Sequence, residues 1–325
     1  MNVVIDTVYQ VGLLFVMMIP GVLMKLCGLS TDGLGKGLSN LVLYIAQPAL
    51  IFTAYLRPFD GEILINALWV LLLSVIAHVI FSVVSIFAFK KAPDMARRML
   101  TFATVFSNAA FMGMPLVAAV LGSEALVYAS IYNITFNLFL WSLGVFICTN
   151  KRDTDQNGVE DHIDRIKGGA SPLKALYHPV TIAALLGLVF FILPIEGFVP
   201  KIISESFDML KNLVAPLSMV VIGLRLPDIR LRGVFRDAYM YVFLALRHLI
   251  LPLLVIGVIK LLALFGLSLN SELTAVVVIL ASAPAATSAT MFAEKYSCDS
   301  PYVSRLVVIS TILSIGTMPL MLLLL

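Results

Sequence analysis

Charge is what this 325-residue chain has least of. Asp, Glu, Lys and Arg together make up 13% of it, where a water-soluble domain carries about a quarter. With so few charges no water-facing surface could be covered, which excludes an ordinary soluble domain. Cysteine is also scarce: Cys27, Cys148 and Cys298 are odd in number and far apart, so no disulfide framework is implied. The opening residues Met1–Asp6 contain no basic residue, which argues against a cleaved signal peptide. No HExxH or GxSxG motif is present, nor a pair of intramembrane aspartates, so enzyme chemistry has no visible seat. Nothing suggests a cofactor, a metal site or nucleic-acid binding. The pI of 8.7 reflects membrane topology rather than an anionic polymer as partner.

What the chain does have is apolar sequence in long runs. Hydrophobic types reach 60% and mean hydropathy is +1.02. A membrane helix needs roughly 20 mostly apolar residues. Runs of that kind lie near 7–27, 34–56, 63–89, 97–122, 125–149, 173–194, 203–226, 235–262, 271–295 and 301–325. The expectation is an all-α integral membrane protein with ten transmembrane helices. A hydrophilic stretch, 150–172, separates a first unit (1–149) from a second (173–325) and reads as a cytoplasmic linker loop.

The basic residues support this count. With the N-terminus outside, 17 of the 22 Lys and Arg fall in cytoplasmic connections and four on the other side, with Arg247 left inside a span. That is the positive-inside bias expected of a multi-pass protein of the cell inner (plasma) membrane with both termini outside. A wrong helix count would scramble the alternation.

Features recur about 170 residues apart: Pro48 and Pro216, Pro115 and Pro284, His78 and His248, Tyr128 and Tyr302. Each half holds five spans. An odd number makes the second half enter the membrane from the opposite side, so the reading is two inverted five-helix repeats, an arrangement common among secondary transporters.

Spans four and nine carry helix breakers near their centres. Span four has Ser107-Asn108 followed by Gly113-Met-Pro115, and span nine has Ser282-Ala-Pro284 followed by Thr287-Ser288. Proline removes a backbone donor and clashes with the preceding turn, and glycine before it lets the chain leave helical geometry. Freed backbone groups are tolerated in a membrane only where they line a cavity or are buried in protein. Two interrupted helices at matching positions point to a transport site, and their half-helix N-termini suit an anion. The candidate substrate-binding residues are therefore Asn108, Gly113, Pro115, Ser282, Pro284, Thr287 and Ser288. Gln47, beside Pro48 in a span of its own, is within reach of the same cavity or serves packing.

Arg247 lies near the centre of span eight, where an arginine costs about 2.5–3.5 kcal/mol even on the lenient insertion scale. No acid stands near any span centre; Asp6, Glu62, Glu124, Asp208, Glu272 and Glu294 are all close to predicted ends. Arg247 is then either a docking point for a substrate carboxylate or a donor to backbone carbonyls of a broken helix. His78 and His248 either titrate or join helices as neutral hydrogen bonders. Asn133 and Asn137, one turn apart, share a helix face. Without midplane acids a carboxylate proton relay is disfavoured, whereas coupling to a proton by another route, or to sodium through carbonyl and hydroxyl oxygens, stays open.

The run Phe106-Ser107-Asn108-Ala-Ala-Phe111-Met-Gly113-Met-Pro115-Leu116 resembles the fourth-helix signature of the auxin efflux carrier family, whose bacterial members include malate and malonate permease-like proteins. Pro48-Ala-Leu-Ile-Phe52, Pro216-Leu-Ser-Met, Pro284-Ala-Ala-Thr, Met291-Phe-Ala-Glu-Lys-Tyr296 and Ser310-Thr-Ile-Leu-Ser314 are similar to other family patterns. The resemblance implies a scaffold part and a transport part, helices four and nine crossing at their prolines, an elevator-like motion and a homodimer. It also implies that Asn108 contacts a substrate carboxylate. The long cytoplasmic loop of many plant members and the acidic residue near Gln47 are absent, so auxin itself is not carried over. No acid near Pro284 matches the sodium site of the related bile-acid symporters.

The sequence thus leads to a secondary transporter of a small organic anion, a mono- or dicarboxylate. A passive anion channel and a non-transporting sensor on the same fold are the alternatives.

Overall fold

A computed structural model of the chain describes residues 2–31, 33–149, 173–193, 199–228 and 237–325. The expected linker 150–172 lies outside the described residues, as do Lys151, Arg152, Arg165, Lys167, Arg230, Arg232 and Arg236 of the charge pattern. Among the described residues the structure is helical and contains no strand. Among the described residues seven helices are long and apolar enough to cross a membrane: α1 (Val8–Leu26), α2 (Leu34–Tyr55), α3 (Gly61–Ala88), α6 (Leu126–Thr149), α8 (Lys201–Arg225), α9 (Ala238–Leu264) and α12 (Ser300–Leu322). Between them come α4 (Asp94–Val105), α5 (Ala109–Leu121), α7 (Pro179–Ile192), α10 (Ser271–Ser282) and α11 (Ser288–Lys295). The fourth and ninth apolar runs of the sequence are thus each split into two helices, α4–α5 and α10–α11.

The helices are apolar on the outside and polar within. On α3, Leu68, Leu72, Val75, Val79, Val83 and Ile86 form an exposed apolar face at helical spacing, while Ser74, His78 and Ser85 are fully buried. This inverts the pattern of a soluble helix. It follows when lipid, not water, meets the surface: polar side chains then find partners only inside. They do so here, with Ser74 donating to Thr135 Oγ1 at 2.8 Å and Tyr55 lying 2.6 Å from Ser130 Oγ. Asp60, Asp237, Asn270 and Asp299 cap the first turns of α3, α9, α10 and α12 with their side-chain oxygens, as orphan N–H groups require.

Three prolines sit inside long helices behind a wide turn. Residues 42–46, 109–113 and 246–250 are each wound with i→i+5 bonding, and Pro48, Pro115 and Pro252 follow two residues later. A proline lacks the N–H and crowds the carbonyl four residues back. Widening the preceding turn relieves that crowding without ending the helix. The sequence reading put the interruption of the fourth span at Gly113–Pro115. The structure corrects this: the chain leaves helical geometry at Phe106–Asn108, and Gly113 and Pro115 lie inside α5. In the ninth span the interruption runs between Ser282 and Ser288, where it was expected, because Pro284 and the extended Ala283 fall within it.

A close seam joins α1 and α8. A Cβ built on Gly21 would lie 2.2 Å from the Val220 carbonyl oxygen, and one on Gly223 would lie 2.1 Å from the Met18 carbonyl oxygen. Small residues let helix backbones approach where no hydrophobic force drives association. Gly223→Ala is expected to lower the thermal midpoint in detergent by more than an ordinary overpacking of about 1–3 kcal/mol, since backbone is what it strikes. Gly12→Ala, with nothing within 4 Å, should melt within a degree or two of wild type.

Candidate functional site

The two interruptions lie against each other. Asn108 N–H donates to the Pro284 carbonyl at 2.6 Å and Ala286 N–H donates to the Phe106 carbonyl at 2.9 Å, so Ser107 and Ala285 form an isolated antiparallel bridge. Four helix ends meet here: the C-termini of α4 and α10 and the N-termini of α5 and α11. Their backbone groups have no lipid or helical partner and must be satisfied by protein.

The C-terminal side is held by Arg247, which is fully buried. Its Nε donates to the Ala283 carbonyl at 2.9 Å, Nη1 to Thr104 at 2.9 Å, and Nη2 to Ala281 and Ala283 at 2.7 Å each. The guanidinium also stands 5.4 Å from the centre of the Phe81 ring. Helix C-termini carry partial negative charge, so one cation serves both α4 and α10. These are the backbone carbonyls that the sequence left as one of two partners for this arginine. Next to it, His248 has its ring nitrogens 2.9 Å from Ser310 Oγ and 2.9 Å from Thr317 Oγ1, and Ser310 Oγ accepts the Ala285 N–H at 2.9 Å. Arg247 and His248 thus tie α9 to the ninth-span break, the histidine through α12.

The N-terminal side is different. Among the described residues the N–H groups of Ala109, Ala110 and Phe111 on α5, and of Thr287 and Ser288 on α11, have no hydrogen-bond partner. Buried side-chain atoms are unpaired too: Asn108 Nδ2, Ser107 Oγ and Ser288 Oγ at the interruptions, Gln47 Oε1, and Ser218 Oγ on α8. Gln47 donates through Nε2 to the Ala110 carbonyl at 2.6 Å, which places it over the first turn of α5. Buried polar groups are rarely left without partners. Unpaired donors and acceptors thus meet at the paired interruptions.

The structure gathers Asn108, Pro284, Thr287, Ser288 and Gln47 around the paired interruptions. Ser282 is adjacent, but its Oγ donates to the Val278 carbonyl of its own helix at 2.6 Å. Gly113 packs against Leu280, whose Cδ2 would lie 2.6 Å from a Cβ there; it lets α5 lie close to α10. Pro115 continues α5 beyond it. His78 is fully buried among Tyr132, Phe136 and Phe139, with Nδ1 2.7 Å from the Ser74 carbonyl. Asn133 and Asn137 are buried on one face of α6. A polar recess of about 190 Å³, lined by Arg57, Glu62, Asn66, Glu124 and Glu272 among others, lies at the helix ends, three turns of α10 away from the interruption. Sequence reasoning missed Ser310, which appeared only as the start of a family-like run, and Arg225, which counted only as a basic residue of a connection. Arg225 Nη1 donates to Thr290 Oγ1 at 2.8 Å and to the Thr287 carbonyl at 3.3 Å.

An apolar helical bundle with polar interruptions is the build of a membrane protein, and the sequences it resembles make it a transport protein rather than an enzyme. The chain belongs to the membrane transport protein family that includes the auxin efflux carriers: the family's sequence model matches residues 6–322. It is 29% identical over 306 residues to an uncharacterized transporter of Methanothermobacter thermautotrophicus, covering 94% of each chain. It is 23% identical over 310 residues to an uncharacterized transporter of Methanocaldococcus jannaschii, covering 93% of this chain and 94% of that one.

Arg247→Met would orphan the carbonyls of Thr104, Ala281 and Ala283, each worth roughly 1–3 kcal/mol when left unmade. It should give the largest loss of thermal stability of any single change at this site, and Arg247→Lys should recover only part because one ammonium cannot span both helix ends. Ser310→Ala is expected to cost about 1 kcal/mol. Detergent melts of the three variants check the order.

Proposed function

We propose that the protein is a secondary transporter of a small organic anion, a mono- or dicarboxylate, working by an elevator-like alternating access. The observation that carries this reading is the segregation of charge at the paired interruptions. Arg247 neutralises the helix C-termini on one side, while on the other the N-termini of α5 and α11 present free N–H groups with the amide of Asn108 between them. Donors without partners favour an acceptor-rich ligand, and a carboxylate offers about four lone-pair sites. Asn108, Thr287, Ser288 and Gln47 contact it in this reading. Arg247 positions the backbone, and Gly113, Pro115, Ser282 and Pro284 shape it.

The ten apolar segments, counted with α4–α5 and α10–α11 as one crossing each, form two inverted five-helix repeats in this reading. Internal pairing supports the repeat. Tyr128 OH lies 3.4 Å from Asn66 Nδ2 near the start of α3, and Tyr302 OH donates to Asp237 at the start of α9 at 2.7 Å. Each tyrosine thus opens the fifth span of its half and bonds the third. The matching histidines likewise sit in the third span of each half. A homodimer in the inner membrane with both termini outside, coupled to a proton or sodium ion, completes the proposal.

Counterflow in proteoliposomes tests it. Vesicles loaded in turn with unlabelled malate, malonate or lactate should accumulate the same labelled acid saturably, and Asn108→Ala should lower that uptake at least tenfold. Uptake that neither saturates nor responds to internal substrate would mean a passive channel. No uptake of any acid would sink the substrate class, and uptake unaffected by Asn108→Ala would move the site elsewhere.

A further inference from the structure

The anion site just described has a fixed cation on its far side, Arg247, but that guanidinium is fully buried and bonded to carbonyls of three residues. A second arginine stands at the start of α11. Arg225 is the last residue of α8, partly buried, and only its Nη1 is engaged among the described residues, by Thr290 Oγ1 and the Thr287 carbonyl. Those two residues form the first turn of α11, so the arginine reaches the half-helix N-terminus whose Thr287 and Ser288 N–H groups are free. Glu294 is the acid that bears on it electrostatically, yet no ion pair within 4.0 Å forms between them. Nε and Nη2 remain available as donors.

A second observation points to a ligand at the same place. Ser218 lies seven residues before Arg225 on α8, two turns back on the same face. It is fully buried and its Oγ has no partner. The helix carrying both packs on the first turn of α5, where Asn108 Nδ2 and the free N–H groups of Ala109 to Phe111 lie. One face of α8 therefore carries an unpaired buried hydroxyl and a guanidinium with free donors, on a helix that packs on the start of α5 and is bonded to the start of α11.

We propose that Arg225 is the charge-recognising residue of the substrate site, binding a carboxylate of the transported acid through Nε and Nη2 while Nη1 holds α11, with Ser218 as a further donor. This rests on the carboxylate-carrier reading and assigns its specificity. The fork of a guanidinium matches two carboxylate oxygens, and the partial positive charge of the α11 N-terminus adds to it. Arg225 sits on α8 and Thr287 and Thr290 on α11, so the bound anion would bridge the two helices.

The experiment combines counterflow with detergent melts, using the full chain and malate, malonate and lactate as probes. Arg225→Gln is expected to raise the KM for the transported acid at least tenfold, leave the maximal rate within threefold, and abolish the thermal stabilisation that millimolar acid gives wild type. Arg225→Lys should fall between the two. Thr290→Val, which removes only the hydroxyl partner, should keep KM within twofold. If Arg225→Gln and Thr290→Val change transport alike, or KM is unmoved by Arg225→Gln while wild type transports, Arg225 is a helix latch and the inference fails with the carrier reading intact. If wild type neither transports nor is stabilised by any of the acids, both fail together. Should Arg225→Gln not fold, Ser218→Ala decides: a severalfold higher KM supports the site and an unchanged one overturns it.

Discussion

Four hydrogen bonds from one buried guanidinium hold the centre of this protein together. Interrupting a helix inside a membrane frees carbonyls that lipid cannot satisfy, at a cost of several kilocalories per mole for each. Burying an arginine there is also costly. Each expense offsets the other, because charge-assisted bonds from Arg247 to Thr104, Ala281 and Ala283 are about twice as strong as neutral ones and fall at two negative helix ends at once. Without the arginine the interruptions would be untenable, and without the interruptions the arginine would have no partner. His248 and Ser310 extend the same arrangement by holding the Ala285 N–H, so α9 and α12 grip the ninth-span break.

The asymmetry of that grip matters for function. Arg247 bonds only carbonyls at the C-terminal sides, and among the described residues the first N–H groups of α5 and α11 have no partner. Around it, wide turns precede Pro48, Pro115 and Pro252 without ending their helices, and α1 and α8 meet backbone to backbone at Gly21 and Gly223.

The environment explains why so much of the fold was legible. Lipid demands continuous apolar helices and satisfied backbones, so apolar runs, sparse charge and mid-span prolines read directly as helices and a break. The Ser282–Ser288 interruption was found because Pro284 lies within it. The other was displaced to Gly113–Pro115 because a proline signals a local lack of one donor, and a widened turn at Ala109–Gly113 can absorb that lack. Phe106 to Asn108 carry no breaker at all. They leave the helix because Phe106 and Asn108 pair with the backbone of Ala286 and Pro284 in the other half of the chain.

By itself, then, the sequence determined the membrane class, the apolar character of the segments and the family, since each depends on composition or on neighbours within a few turns. Only the tertiary structure decided what Arg247 bonds, where the fourth span is interrupted, and that Arg225 is bonded to the first turn of α11. Those depend on which helix ends meet, and a hydrogen bond between residues 143 positions apart, such as Arg247 to Thr104, leaves no periodic mark on either segment.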